Sequence, residues 1–204
     1  MPHTQLYLIS PPDVSGDFPD RLERTLAAGP VAAFQFRVKG VDQHEAARLA
    51  EPLQAICERH DVAFIVNDSV PLARRLGADG VHLGQSDGDP REAREALGRE
   101  AQIGVTCHAS RHLAMEAGEA GADYVAFGAF FDSNTKASEH RPDPEILRWW
   151  SGLFELPCVA IGGIAPENCT PLVEAGADFL AVSGAVWNAA DPAAAVRAFA
   201  ARLA

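Results

Sequence analysis

The sequence predicts an α/β protein, a single domain over residues 1–204 folded as a (β/α)8 TIM barrel. Three observations predict it. Short apolar runs alternate with helical patterns from end to end, about eight times, with no linker-like gap. The tripeptide Gly-Ala-Asp recurs at Gly77–Asp79, Gly121–Asp123 and Gly176–Asp178, each time where a helical pattern stops and an apolar run starts. Glycine suits the left-handed position past a helix end, and aspartate suits the turn into a strand. The apolar runs also lack clean in–out alternation, as expected of strands covered on both faces. An open doubly wound sheet is the competing architecture. It carries a glycine-rich first turn, which "ISPPDVSGD" does not match.

In order, "QLYLI" (5–9) is an apolar run followed by the helical pattern "FPDRLERTLAAG". "VAAFQFR" (31–37) precedes "DQHEAARLAEPLQAICERH", whose apolar positions fall three and four apart. "VAFIV" (62–66) precedes "VPLARRLG", and "GVHLG" (80–84) precedes "DPREAREALG". "AQIGVT" (101–106) leads into "SRHLAMEAGEAG", and "DYVAFGAF" (123–130) leads through a polar loop into "DPEILRWWSGLF". "PCVAIGG" (157–163) precedes "APENCTPLVEAG", and "DFLAVSG" (178–184) precedes the closing "DPAAAVRAFAARLA".

The bulk numbers narrow the function. A net charge of −11 argues against a nucleic-acid surface. No apolar run approaches the ~20 residues of a membrane span. The start, "MPHTQLYLIS", has no basic region followed by an apolar segment, so no secretory signal is visible. Cys57, Cys107, Cys158 and Cys169 form no CxxC pair and lack zinc-site spacing. They read as reduced, mostly buried thiols of a cytoplasmic protein. Trp149–Trp150 marks a helix face packed either within the chain or against a second copy in a homo-oligomer.

In such barrels the chemistry sits at the C-terminal ends of the strands. Gln35, Arg37 and Lys39 alternate there after the second apolar run, so they share one side of an extended chain. On the helix layer they would be buried unpaired, so the barrel mouth suits them better. Asn67 and Asp68 end the third run, and Gln85 and Asp87 follow the fourth. Mg2+ takes oxygen ligands, commonly one or two carboxylates completed by water and substrate phosphate. Two aspartates opposite Arg37 and Lys39 therefore fit a metal-bridged diphosphate. The competing reading is that each aspartate only caps the next helix.

Thr106, Cys107 and His108 end the fifth run. The polar loop "FDSNTKASEHRPD", which carries Lys136, is long enough to act as a lid. Gly162 and Gly163 follow the seventh run, and Ser183 and Gly184 the eighth; both suit a backbone phosphate cradle. Two anion sites with a pocket between them imply catalysis by positioning and charge stabilisation, with no nucleophilic triad.

The segments "FQFRVK", "FIVNDSVPLARRLGADGVHLGQSD", "IGVTCH", "GADYVAFGAFFDSNTK", "VAIGGIAPEN" and "EAGADFLAVSGAV" resemble the thiamine phosphate synthase family and its close relatives, the thiazole tautomerases. The resemblance spans nearly the whole chain. It implies a transferase of thiamine biosynthesis that joins hydroxymethylpyrimidine diphosphate to a thiazole phosphate and releases diphosphate. It implies Mg2+ on Asp68 and Asp87. Arg37, Lys39, Asn67 and Lys136 would hold diphosphate, Gln35 would hold the pyrimidine, and Thr106 stands near the reacting groups, where the family usually has serine. Gly163, Ser183 and Gly184 would cradle the thiazole phosphate. The family's course is dissociative, with Arg37, Lys39, Lys136 and Mg2+ stabilising the departing charge and Arg37, Lys39, Thr106 and Lys136 as the catalytic set.

The sequence departs from the family pattern in places. Val38 replaces a glutamate, Ser10 and Pro11 replace "TD", and Asp132 and Ser133 replace proline and threonine before the lid. The glycine after "TK" is missing, and the last phosphate loop reads Ser183–Gly184. These departures leave two alternatives: a tautomerase-like enzyme using His108, and a non-catalytic paralogue that binds thiamine phosphate. The intact Asp68 and Asp87 favour the synthase.

Overall fold

The computed structural model of the chain describes residues 4–132 and 141–203; Lys136 therefore lies outside the described residues. Its eight strands are β1 (Gln5–Ile9), β2 (Ala33–Phe36), β3 (Ala63–Asn67), β4 (Gly80–Leu83), β5 (Gln102–His108), β6 (Tyr124–Gly128), β7 (Cys158–Ile161) and β8 (Phe179–Val182). All neighbours pair in parallel, and β8 closes on β1. The helices between them are α1 (Phe18–Leu26), α2 (Gln43–Arg59), α3 (Val70–Leu76), α4 (Pro90–Leu97), α5 (Arg111–Glu119), α6 (Glu145–Leu153) and α7 (Thr170–Glu174). A short α8 (Gly184–Trp187) precedes α9 (Pro192–Leu203). The predicted (β/α)8 order holds throughout, and only α8 has no counterpart in the sequence reading.

The apolar residues divide into two cores. One lies inside the barrel and includes Tyr7, Ile9, Ala33, Ile65, Tyr124, Val159 and Ala181. The larger lies between strands and helices, around Phe34, Phe64, Phe127, Trp150 and Phe199. Both faces of each strand are thus covered, which explains the missing alternation. All four cysteines are buried and free, and burial pushes the thiols of Cys57, Cys107 and Cys158 up to about 12. Trp150 packs within the chain, whereas Trp149 is only partly buried. Trp150 is buried and donates to the Leu156 carbonyl at 2.7 Å, and the Arg111 guanidinium lies 4.6 Å from the centre of the Trp149 ring. No helix among the described residues is long and apolar enough to cross a membrane.

The Gly-Ala-Asp repeat has one job in three places. Gly77, Gly121 and Gly176 carry positive φ just past α3, α5 and α7. The following aspartate reaches back to the start of the preceding strand. Asp79 Oδ2 accepts from Phe64 N at 2.7 Å, Asp123 Oδ2 from Ile103 N at 2.7 Å, and Asp178 Oδ2 from Cys158 N at 2.8 Å. Each aspartate N–H donates to the same residue's carbonyl in return. These reciprocal pairs supply edge hydrogen bonds that strand staggering would leave unmade at the bottom of the barrel. Asp123 also pairs with Arg94. Asp123→Ala strands the Ile103 N–H and should cost about 2–3 kcal/mol in chemical denaturation, with kcat changed by less than about twofold.

Candidate active site

The ends of β3 and β4 bring the two sequence-predicted carboxylates together. Asp68 follows the last residue of β3 with φ at 64°, a left-handed conformation that aspartate tolerates better than most side chains. Its N–H donates to the His82 carbonyl of β4 at 2.8 Å, which ties the turn to the neighbouring strand. Asp87 Oδ2 accepts from Gly84 N at 3.0 Å. A Cβ at residue 84 would stand 2.5 Å from that oxygen, so glycine is what lets the carboxylate sit there. Neither aspartate caps a helix. Ser69 accepts from Leu72 N at the start of α3, and Asp89 accepts from Arg91 N at the start of α4.

Burial raises the Asp68 pKa above its ordinary value, and the charge and hydrogen bond of Asp87 raise it further; Lys39 and Arg37 oppose this. Two carboxylates held this close to two cations form a hard-oxygen donor pair that a divalent cation would relieve of its mutual repulsion. The residues present therefore fit Mg2+. Among the described residues no cluster of three or more His, Cys, Asp or Glu side chains gathers. Two carboxylates completed by phosphate oxygens is the pattern Mg2+ takes, whereas zinc prefers a fuller protein cage.

Arg37 follows β2, half-buried, and Lys39 is exposed beyond it. Ser10 fixes the Arg37 backbone in both directions, its Oγ accepting from Arg37 N at 2.9 Å and donating to Arg37 O at 3.1 Å. The sequence reading registered Ser10 only as a departure. Val38 turns onto the barrel–helix core. Asp132, which stands where the family pattern has proline, pairs with Arg141.

Gln35 lies inside β2, buried, and not beyond it. Its Nε2 donates to Tyr7 Oη at 3.0 Å, Tyr7 Oη meets Tyr124 Oη at 2.9 Å, and Tyr124 Oη meets His82 Nδ1 at 3.1 Å. His82 Nε2 meets Thr106 Oγ1 at 2.8 Å. Gly104 makes room for this set, since a Cβ there would lie 2.0 Å from the Tyr124 ring. Gln85 Nε2 donates to the Thr106 carbonyl at 2.6 Å and pins the end of β5. Tyr7, Tyr124 and His82 were missed from sequence, each lying singly inside an apolar run. Burial pushes the Tyr7 phenol up to about 12 and Tyr124 well above 10, while it pushes His82 down to about 4 against the opposing charge of Asp87. All three stay uncharged at neutral pH.

The unfolded chain takes a proton on His82 below its ordinary 6.5, but the folded chain resists until about 4. Stability is therefore full above 6.5 and falls as pH drops through this window, by up to about 3 kcal/mol. Denaturation at about pH 7.5 and about pH 5 should show a smaller loss in His82→Gln than in the wild type.

The two glycine loops have structural reasons as well. Gly163, with φ at 63°, is closely approached by the loop after β6; a Cβ there would lie 2.3 Å from the Asp132 carbonyl. Asn168 holds this loop, accepting from Ala165 N at 2.8 Å and donating to Gly163 O at 3.0 Å. Ser183 and Gly184 open α8, and Ser183 Oγ donates to Ser10 O at 3.4 Å.

Residues 6–186 match the family model described as thiamine monophosphate synthase. The chain belongs to that family. It is 76% identical to the thiamine-phosphate synthase of Erythrobacter litoralis (strain HTCC2594), covering 98% of this chain and 96% of the relative. It is 54% identical to the thiamine-phosphate synthase of Rhodospirillum centenum (strain ATCC 51521 / SW), covering 98% and 97%. Among solved structures, thiamine phosphate pyrophosphorylase from Pyrococcus furiosus superposes with a TM-score of 0.86 at 29% identity, over 98% of this chain and 95% of that one. In this thiamine monophosphate synthase family member, the carboxylate pair, the cationic row and the buried polar chain all lie at or lead to the C-terminal mouth of the barrel.

Proposed function

We propose that the chain is a thiamine phosphate synthase, a Mg2+-dependent transferase that joins hydroxymethylpyrimidine diphosphate to thiazole phosphate. The observation that carries this reading is the convergence of Asp68 and Asp87 beside Arg37 and Lys39, with neither carboxylate spent on a helix cap. The relatives at 76% and 54% identity, matched over 96% and 97% of their length, both bear that name.

Asp68 and Asp87 would hold Mg2+, which when bound supplies charge neutralisation to the diphosphate. Arg37, Lys39, Asn67 and Lys136 grip the diphosphate and stabilise its charge as the carbon–oxygen bond to the pyrimidine methylene breaks. Gln35 and Thr106 orient the pyrimidine. Gly163, Ser183 and Gly184 cradle the thiazole phosphate, so that the thiazole nitrogen captures the methylene carbon and forms the new carbon–nitrogen bond. The protein works in the cytoplasm, where its four buried thiols stay reduced.

The test mixes purified protein with both substrates and Mg2+ and reads thiamine phosphate as its fluorescent oxidation product. Chelator-sensitive product is expected. Folded protein that makes no product would overturn the reading. Isomerisation of a thiazole carboxylate phosphate would then indicate a tautomerase, and tight product binding without turnover a binding paralogue. Lys136→Ala should slow turnover about 10²-fold with an unchanged melting temperature.

A further inference from the structure

β1 lies between β2 and β8 in the closed barrel. Arg37 and Lys39 follow β2 on one side of it, and Ser183 and Gly184 follow β8 on the other. These two groups serve different anions in the proposed reaction. The end of β1 supplies none of the residues assigned to either anion, yet it is the one strand end that both groups adjoin.

The last regular bond from β1 to β2 runs from Ser10 N to Gln35 O at 2.9 Å, in the register that pairs Ile9 with Gln35. A continued parallel ladder would send Arg37 N–H to Ser10 O and the N–H of residue 12 to Arg37 O. Residue 12 is proline and has no N–H. The buried Ser10 hydroxyl makes both bonds instead, accepting from Arg37 N at 2.9 Å and donating to Arg37 O at 3.1 Å. Neither bond can reverse, since a backbone N–H only donates and a carbonyl only accepts. With Arg37 N–H so engaged, the Ser10 carbonyl accepts from Ser183 Oγ at 3.4 Å. One residue earlier, the Ile9 carbonyl accepts from Trp187 Nε1 at 2.6 Å, so β1 grips α8 at two successive carbonyls. With its proton on Ser10 O, the Ser183 hydroxyl fixes its loop and leaves the anion to the loop's backbone N–H groups.

Building on the synthase reading, we propose that Ser10 is a positioning residue shared by the two anion subsites: its side chain sets the Arg37 backbone on the diphosphate side, and so frees its own carbonyl to hold Ser183 on the thiazole phosphate side. The two roles are linked through one residue. Without the hydroxyl, Arg37 N–H is left to the acceptor that ladder geometry offers it, the Ser10 carbonyl. That carbonyl turns back to β2 and lets Ser183 go. A side chain that hydrogen-bonds only to the Arg37 backbone is therefore felt at the loop after β8.

Ser10→Ala and Ser10→Thr test this together, since threonine restores the hydroxyl. Ser10→Ala should lower kcat about tenfold, because the Arg37 backbone shifts under its guanidinium. It should also raise the KM for thiazole phosphate about fivefold or more, the scale of one lost hydrogen bond. Ser10→Thr should keep both values within about twofold of the wild type. Ser10→Cys keeps the shape with a weaker donor and acceptor, and gives a graded form of the same loss should Ser10→Ala fold poorly. A lower kcat with an unchanged KM for thiazole phosphate would mean that Ser10 serves Arg37 alone, and would overturn the proposal. Equal losses in Ser10→Ala and Ser10→Thr would also overturn it, since packing and not the hydroxyl would then be at work.

A second measurement needs no substrate. Hydrogen exchange at the Trp187 indole N–H reports how firmly β1 holds α8. Exchange should quicken about tenfold in Ser10→Ala, where Ser183 is released, and stay within about twofold of the wild type in Ser10→Thr. Unchanged exchange in Ser10→Ala would overturn the link between the two sides. A wild type that makes no thiamine phosphate would instead sink the synthase reading, and the exchange rates would still decide whether Ser10 ties β2 to β8.

Discussion

Asp87→Asn is expected to lose Mg2+-dependent turnover by about 10²-fold or more while making the metal-free protein slightly more stable. The two effects share a cause. Asp68 is driven to hold its proton by burial and by the carboxylate of Asp87 beside it. An amide at 87 keeps an oxygen for the Gly84 N–H but removes the like charge. The site is open to solvent on the Asp87 side, so the gain in melting temperature is small, about 1–2 °C at neutral pH. Added Mg2+ should raise the melting temperature of the wild type and leave that of the variant unchanged. A helix-capping aspartate would behave in the opposite way, losing stability and keeping its rate.

Arg37→Met carries the second large effect. The arginine is half-buried at the mouth, its backbone is held from both sides by Ser10, and its charge is felt at Asp68. Methionine keeps the apolar stem and discards the guanidinium. Turnover should fall about 10²–10³-fold, the range for losing a preorganised charge-stabilising donor. The melting temperature should change little, because no described residue hydrogen-bonds or ion-pairs with the head group. Arg37→Lys should recover only part of the rate, since an ammonium cannot present paired donors to a diphosphate. Single-turnover kinetics would separate the loss in chemistry from any loss in binding.

The barrel was legible because its signals are local and repeated. Apolar run, helical face and Gly-Ala-Asp turn each specify a piece of backbone without reference to the rest. The paired aspartates were legible because both follow the ends of runs that the topology makes neighbours. The buried polar chain was not. Tyr7, His82 and Tyr124 each look like an ordinary packed residue in a strand, and only closure of β1 to β8 brings their polar tips into line. Their common inward parity with Ala33, Ile65 and Ala126 was the available signal. Ser10 read as a loss because its replacement was judged by side chain, whereas its work is done on the Arg37 backbone. The aspartates of the repeat were assigned to the turn ahead of them, but they bond to the strand behind. Helix α8 escaped because four residues with no side-chain cap give neither a period nor a start signal.

The measurement to make first is a calorimetric titration of inorganic diphosphate into the wild type and into Asp87→Asn, each with Mg2+ and with chelator. If Asp68 and Asp87 hold the metal that bridges the diphosphate, the wild type will bind tightly only with Mg2+, and the variant will bind equally weakly in both buffers. Equal affinity in the wild type with and without the metal would contradict the assignment and leave the two carboxylates without a role in catalysis.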